Sequence, residues 1–166
     1  MKADTVNEET IKEVVARLLF KSNYTLVVAE SCTGGLLADK LTDIPGSSNY
    51  FLLGITCYSN EAKMELLKVP QETIDTAGAV SEETARAMAD NIRSLAFADL
   101  ALSTTGYAGP GDSRLEPIGL VYVGMATPEG TFCRRFNFQG DRRSIKKQAG
   151  NSALNMIRLY LEGSLE

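Results

Sequence analysis

Ser31 is the residue whose neighbours best equip it for chemistry. It stands in Ala29-Glu30-Ser31-Cys32-Thr33-Gly34-Gly35-Leu36. Residues 24–29 are β-branched and apolar and read as a buried strand, and residues 36–41 read as a helix. A serine between the two meets the first N–H groups of a helix, which have no partner inside it and carry partial positive charge. Such groups suit a phosphate, a carboxylate or an oxyanion. Gly34 and Gly35 carry no side chain, so a ligand can approach the backbone. The pattern fits a nucleophilic serine beside an oxyanion site. It also fits a serine or threonine that caps a glycine-rich first turn. The chain has no histidine, which excludes a Ser-His-Asp triad, a Cys-His dyad and histidine-containing zinc sites. A nucleophilic Ser31 would need a lysine, a tyrosine or a carboxylate as its base. Cys32 is a second candidate nucleophile, a thiol at a helix N-terminus.

Tyr58 and Lys63 supply two of those base types in Tyr58-Ser59-Asn60-Glu61-Ala62-Lys63. The stretch follows an apolar strand over 50–58 and opens a helix over 61–68, with Ser59 or Asn60 as its cap. Both side chains therefore fall near the carboxyl end of a strand, where open α/β sheets bind ligands. The alternative is a solvated lysine and a tyrosine at the edge of the core. A second glycine-rich stretch, Thr104-Thr105-Gly106-Tyr107-Ala108-Gly109-Pro110-Gly111-Asp112, follows a strand over 99–104 and is a candidate ligand loop. Arg142, Arg143, Lys146 and Lys147 open a last helix over 141–161 that Asp141 can cap. Cations there oppose the helix dipole, which points to an anion or to a solvated basic face.

The remaining elements must hold these groups in place. Val6, Ile11, Val14, Val15, Leu18 and Leu19 recur at helical spacing over residues 5–22. Residues 43–48 are a turn by composition, 70–76 a short turn or helix, and 81–96 a helix with acidic residues in its first turn. A strand over 118–126, a turn at 127–130 and a strand over 131–138 form a hairpin. The alternation predicts a single α/β domain over residues 1–166, a three-layer α/β/α sandwich whose sheet is mixed and largely parallel.

The 166 residues carry a net charge of −4 and no basic block, so binding to nucleic acid is not expected. No apolar run approaches the roughly 20 residues that span a bilayer, and residues 1–13 are too polar for a signal peptide. A cytoplasmic location follows as the expectation. Cys32, Cys57 and Cys133 are too far apart for a CxxC motif, and no metal is expected.

Five motifs occur in order: Ala29-Glu30-Ser31-Cys32-Thr33-Gly34-Gly35, Pro45-Gly46-Ser47-Ser48, Tyr58-Ser59-Asn60-Glu61-Ala62-Lys63, Gly78-Ala79-Val80-Ser81-Glu82 and Gly106-Tyr107-Ala108-Gly109-Pro110. Together, across residues 13–161, the chain resembles the carboxy-terminal domain family of the competence-damage-inducible protein CinA. Members of similar length are nicotinamide-nucleotide amidohydrolases. The resemblance implies hydrolysis of the carboxamide of nicotinamide mononucleotide to nicotinate mononucleotide and ammonia, as part of pyridine-nucleotide salvage. It implies no cofactor and a homodimer. It makes Ser31 the nucleophile, assisted by Lys63 and by Tyr58, which would relay a proton or hold the lysine. Amides of the Ser31–Gly35 turn would stabilise the oxyanion, and Thr33, Gly34, Gly35, Ser48, Thr105, Gly106 and Arg142 would bind the substrate. The chain departs from the family pattern at Gly111-Asp112-Ser113-Arg114-Leu115-Glu116, where Glu116 takes the place of a lysine, and at Tyr107, which replaces a smaller aliphatic residue. A non-catalytic nucleotide-binding domain with the same fold is the second reading.

Overall fold

The computed structural model describes residues 9–110 and 117–165. The elements run α1 (Ile11–Ser22), β1 (Leu26–Glu30), α2 (Leu36–Thr42), a 3-10 turn (Ser47–Asn49), β2 (Phe51–Thr56), α3 (Asn60–Leu67), α4 (Gln71–Thr76), α5 (Glu82–Ala96), β3 (Leu100–Gly106), β4 (Leu120–Thr127), β5 (Gly130–Asn137) and α6 (Arg142–Leu161). The five strands form one sheet in the order β2-β1-β3-β4-β5.

β1 is buried along its whole length. Leu26 and Val28 enter one apolar cluster and Val27 and Ala29 the other. A strand covered on both faces needs no polar alternation, which is why its sequence is a continuous apolar run up to Glu30. Val15 and Leu19 of α1, Leu37 and Leu41 of α2, and Ile145, Leu154 and Ile157 of α6 pack on one face. Leu67 of α3 and Met88, Ala89 and Ile92 of α5 pack on the other. Among the described residues no helix is long and apolar enough to cross a membrane.

The expectation of a largely parallel sheet is corrected. β1 is parallel to β2 and to β3, but β3–β4 and β4–β5 are antiparallel. β4 and β5, at eight residues each, are the longest strands. A parallel connection needs a crossover of about a dozen residues or more. Helices supply one between β1 and β2 and between β2 and β3, whereas β4 turns directly into β5.

The helix starts follow local capping. Thr10 donates its N–H to Glu13 at 2.7 Å, which sets the start of α1; Val6 lies outside the described residues. Ser59 caps α3, Ser81 caps α5 and Asp141 caps α6, each accepting a backbone N–H. The chain leaves β1 toward β2 on one side and returns to β3 on the other. The carboxyl ends of β1 and β3 thus flank the point where the topology reverses, where an open α/β sheet leaves a crevice.

Candidate functional site

Ser31 is the first residue beyond β1 and is almost wholly buried. Its amide donates to Thr104 O at 2.9 Å, and the Cys57 amide donates to Glu30 O at 2.9 Å. Main-chain bonds to both neighbours therefore hold the end of β1 in place. Gly34 N–H closes the turn onto Ser31 O at 3.1 Å.

Glu30 organises this turn, a role that sequence reading missed. Its buried carboxylate accepts the amides of Gly35, Leu37 and Ala38 at 3.0, 3.0 and 2.9 Å. The residue at the usual capping position of α2 is Gly35, with φ of 96° and no side chain. The cap is supplied from five residues upstream instead, with the charge sign that a helix N-terminus favours. No capping motif of adjacent residues reveals it. An acidic residue closing an otherwise apolar strand was the available signal.

This cap narrows the expected oxyanion donors. The amides of Gly34 and Gly35 are committed. Among the described residues, those of Cys32 and Thr33 donate to no main-chain carbonyl. Thr33, expected to bind substrate, is fully buried, and its hydroxyl pairs with that of Thr104 at 2.7 Å. It fastens the turn to β3 instead.

A pocket of about 240 Å³ opens at this edge. It gathers Ser31, Tyr58, Lys63, Thr105, Gly106 and Arg142, with Ala79, Val80 and Ile118 as apolar walls. Residues from six stretches of the chain thus meet at the carboxyl edge. Ser48 is exposed on the 3-10 turn and does not line the pocket. Gly34 and Gly35 belong to the turn and do not line the pocket. Thr105 lines the pocket while its hydroxyl donates to Ala79 O at 2.6 Å, so it also holds the wall formed by residues 78–80.

Lys63 lies on α3 and is 2% exposed. Its Nζ donates to Tyr58 O at 3.2 Å. Burial pushes its ammonium below the ordinary lysine range, and nearby Cys57, Cys32 and Glu61 push back more weakly. Tyr58 performs two separate jobs. Its carbonyl holds the lysine, while its exposed phenol accepts a hydrogen bond from Arg142 Nη2 at 2.8 Å. Arg142 Nη1 donates to Gly109 O at 2.6 Å. Arg142 therefore joins α6, Tyr58 and the loop after β3.

Cys32 lines the pocket, but burial pushes its thiol up to about 11. It stays protonated at neutral pH, so the thiolate needed for attack is absent. Among the described residues no group of three or more His, Cys, Asp or Glu side chains is arranged to hold a metal. The departure at 111–116, including Glu116, lies outside the described residues.

The model of the CinA C-terminal domain matches residues 8–161. A protein of Caldanaerobacter subterraneus subsp. tengcongensis is 54% identical over 159 residues, covering 95% of this chain and 39% of that protein. A CinA-like protein of Desulfotalea psychrophila is 47% identical over 156 residues, 93% of this chain and 38% of that protein. The chain thus spans about two fifths of the length of these curated relatives. Among solved structures, a competence-damaged protein (CinA) superfamily protein of Klebsiella pneumoniae superposes with a TM-score of 0.89 at 33% identity, over 92% of this chain and 96% of that one. With that family model matching nearly the whole chain and the fold shared with the solved relative, the chain belongs to the CinA C-terminal domain family.

Proposed function

We propose that this chain is a serine amidohydrolase that converts nicotinamide mononucleotide to nicotinate mononucleotide and ammonia. The observation that carries the reading is a buried lysine with a lowered pKa sharing a pocket with a serine at the end of β1. A neutral Lys63 Nζ takes the Ser31 hydroxyl proton as Oγ attacks the carboxamide carbon. Cys32 lines the pocket, and its amide is the donor offered to the developing oxyanion. The C–N bond breaks as Lys63 returns its proton to the departing nitrogen, releasing ammonia and leaving an acyl-serine. Water then attacks the ester, its proton passes to Lys63 and on to Ser31, and nicotinate is freed. Arg142, held by Tyr58 and Gly109, attracts the phosphate of the nucleotide.

The test is direct. The purified chain is incubated with nicotinamide mononucleotide, and ammonia and nicotinate mononucleotide are measured. Equal amounts of both products are expected. Saturable binding of the nucleotide without ammonia would instead favour the non-catalytic binding reading.

A further inference from the structure

A second cavity lies beside the first. A trough of about 750 Å³ runs between α2 and the first turns of α6. Leu36 and Lys40 line it from α2, and Arg142, Arg143, Lys146 and Lys147 line it from α6. The two helices are closely packed along it. A Cβ on Gly150 would stand 3.5 Å from Leu36 Cδ2 and 3.6 Å from Lys40 Cε.

The lining holds five cations and no carboxylate. Among the described residues, none of the five joins a salt bridge. The whole chain carries −4, so the trough is a local reversal of sign. Arg142 and Lys146, like Arg143 and Lys147, are four apart on one helix, where like charges repel. All four also sit at the helix end that disfavours cations. Folding therefore concentrates positive charge that the described residues do not neutralise, and a concave surface focuses its field.

We propose that this trough binds a polyphosphate anion, the pyrophosphate or triphosphate group of a small molecule such as a nucleoside di- or triphosphate. Five cations exceed the roughly two negative charges of one phosphate monoester. The volume falls within the roughly 300–1,000 Å³ of small-molecule pockets. A short trough on an otherwise acidic chain favours a small ligand over a nucleic-acid backbone. This inference goes beyond the proposed amidase reaction, whose substrate carries a single phosphate. The two cavities adjoin. Arg142 lines both, and a Cβ on Gly34, in the turn after Ser31, would stand 3.4 Å from Lys146 Nζ.

Titration calorimetry of the full chain with inorganic tripolyphosphate tests the proposal. One saturable site is expected, with orthophosphate binding at least about tenfold more weakly. Lys40→Glu combined with Lys147→Glu should weaken tripolyphosphate by about tenfold or more, whereas Lys21→Glu, on α1, should change it less than about twofold. If the reversed pair fails to fold, Lys40→Gln with Lys147→Gln should still weaken binding by roughly threefold or more. No saturable binding would overturn the proposal. Orthophosphate binding as tightly, or an equal loss in Lys21→Glu, would also overturn it. So would displacement by single-stranded oligodeoxynucleotide at lower phosphate concentration than tripolyphosphate itself requires. The readout is binding, so a preparation without amidase activity leaves the proposal standing, and loss of binding leaves the amidase reading standing.

Discussion

Two strand ends in this molecule carry glycine-rich stretches, and they use them differently. After β1, the Glu30 carboxylate collects three amides of α2, and the Thr33 hydroxyl is tied to Thr104. These bonds fix the turn, and Ser31 and Cys32 line the pocket from it. After β3, the loop works mainly through its acceptors and walls. Gly109 O receives Arg142, and Tyr107 N–H is spent on Leu120 O. In the proposed reaction the first end carries the chemistry and the second positions and binds. Similar composition yields different roles because neighbours decide which polar groups remain available.

The contrast is broken most directly at Ser31. Ser31→Ala should lower the rate of nicotinamide mononucleotide hydrolysis by about a thousandfold or more. Its far-ultraviolet circular dichroism should match the parent's. Near-normal turnover would move the chemistry away from the β1 turn.

Lys63 gives the next largest effect. Lys63→Arg keeps a charge but cannot lose its proton, so it should match Lys63→Met, with losses of roughly 10²–10⁴ in kcat. The sign of the pH dependence follows from burial. In the proposed mechanism the neutral lysine is the active form, so the rate should rise with pH. Its midpoint should lie below the roughly 10.4 of a free lysine. Stability should move the same way. The unfolded chain binds more protons in the window between the lowered folded value and the free value, so raising pH through it favours the folded state. Lys63→Met, which removes a buried charge, should melt no lower than the parent at neutral pH. A retained rate in Lys63→Arg would make the lysine a positioning group only.

Glu30→Gln sharpens the comparison without touching the reacting atoms. It removes the charge and one acceptor from beneath α2. It should cost about 2 kcal/mol, or roughly 4–8 °C of Tm, with a smaller fall in kcat as the turn loosens. An unchanged Tm would show that the cap is not what fixes the turn. The smallest effect tests the other strand end. Arg142→Ala should raise KM for the mononucleotide about tenfold and leave that for nicotinamide riboside nearly unchanged. Equal changes for both would show that Arg142 supports the loop after β3 without reading the phosphate.

Much of this was legible in the chain. The apolar run before Glu30, the Ser59, Ser81 and Asp141 caps and the turn at 127–130 are local signals, and these elements formed within a few residues of their expected places, whereas α1, expected from residue 5, starts at Ile11 behind the Thr10 cap. The absence of histidine directed attention to Lys63 and Tyr58, and both line the pocket with Ser31. Legibility ended where a side chain's partner is distant in sequence. Tyr58 was read as relaying a proton or holding the lysine; its carbonyl accepts from Lys63 Nζ, whereas its phenol meets Arg142, 84 residues away. Thr33 was read as facing ligand, yet it is buried against Thr104, 71 residues away.

The sequence by itself determined the elements, their alternation and the residue types available for chemistry, because propensity, capping and periodicity act over a few neighbouring residues. Only the tertiary structure decided the parallel and antiparallel halves of the sheet, the commitment of Glu30 to α2 and the burial that lowers the Lys63 pKa. It also brought α2 and α6 together around five cations. These depend on which surfaces are removed from water and which distant groups meet, and desolvation and hydrogen-bond partnership exist only once the chain has closed on itself.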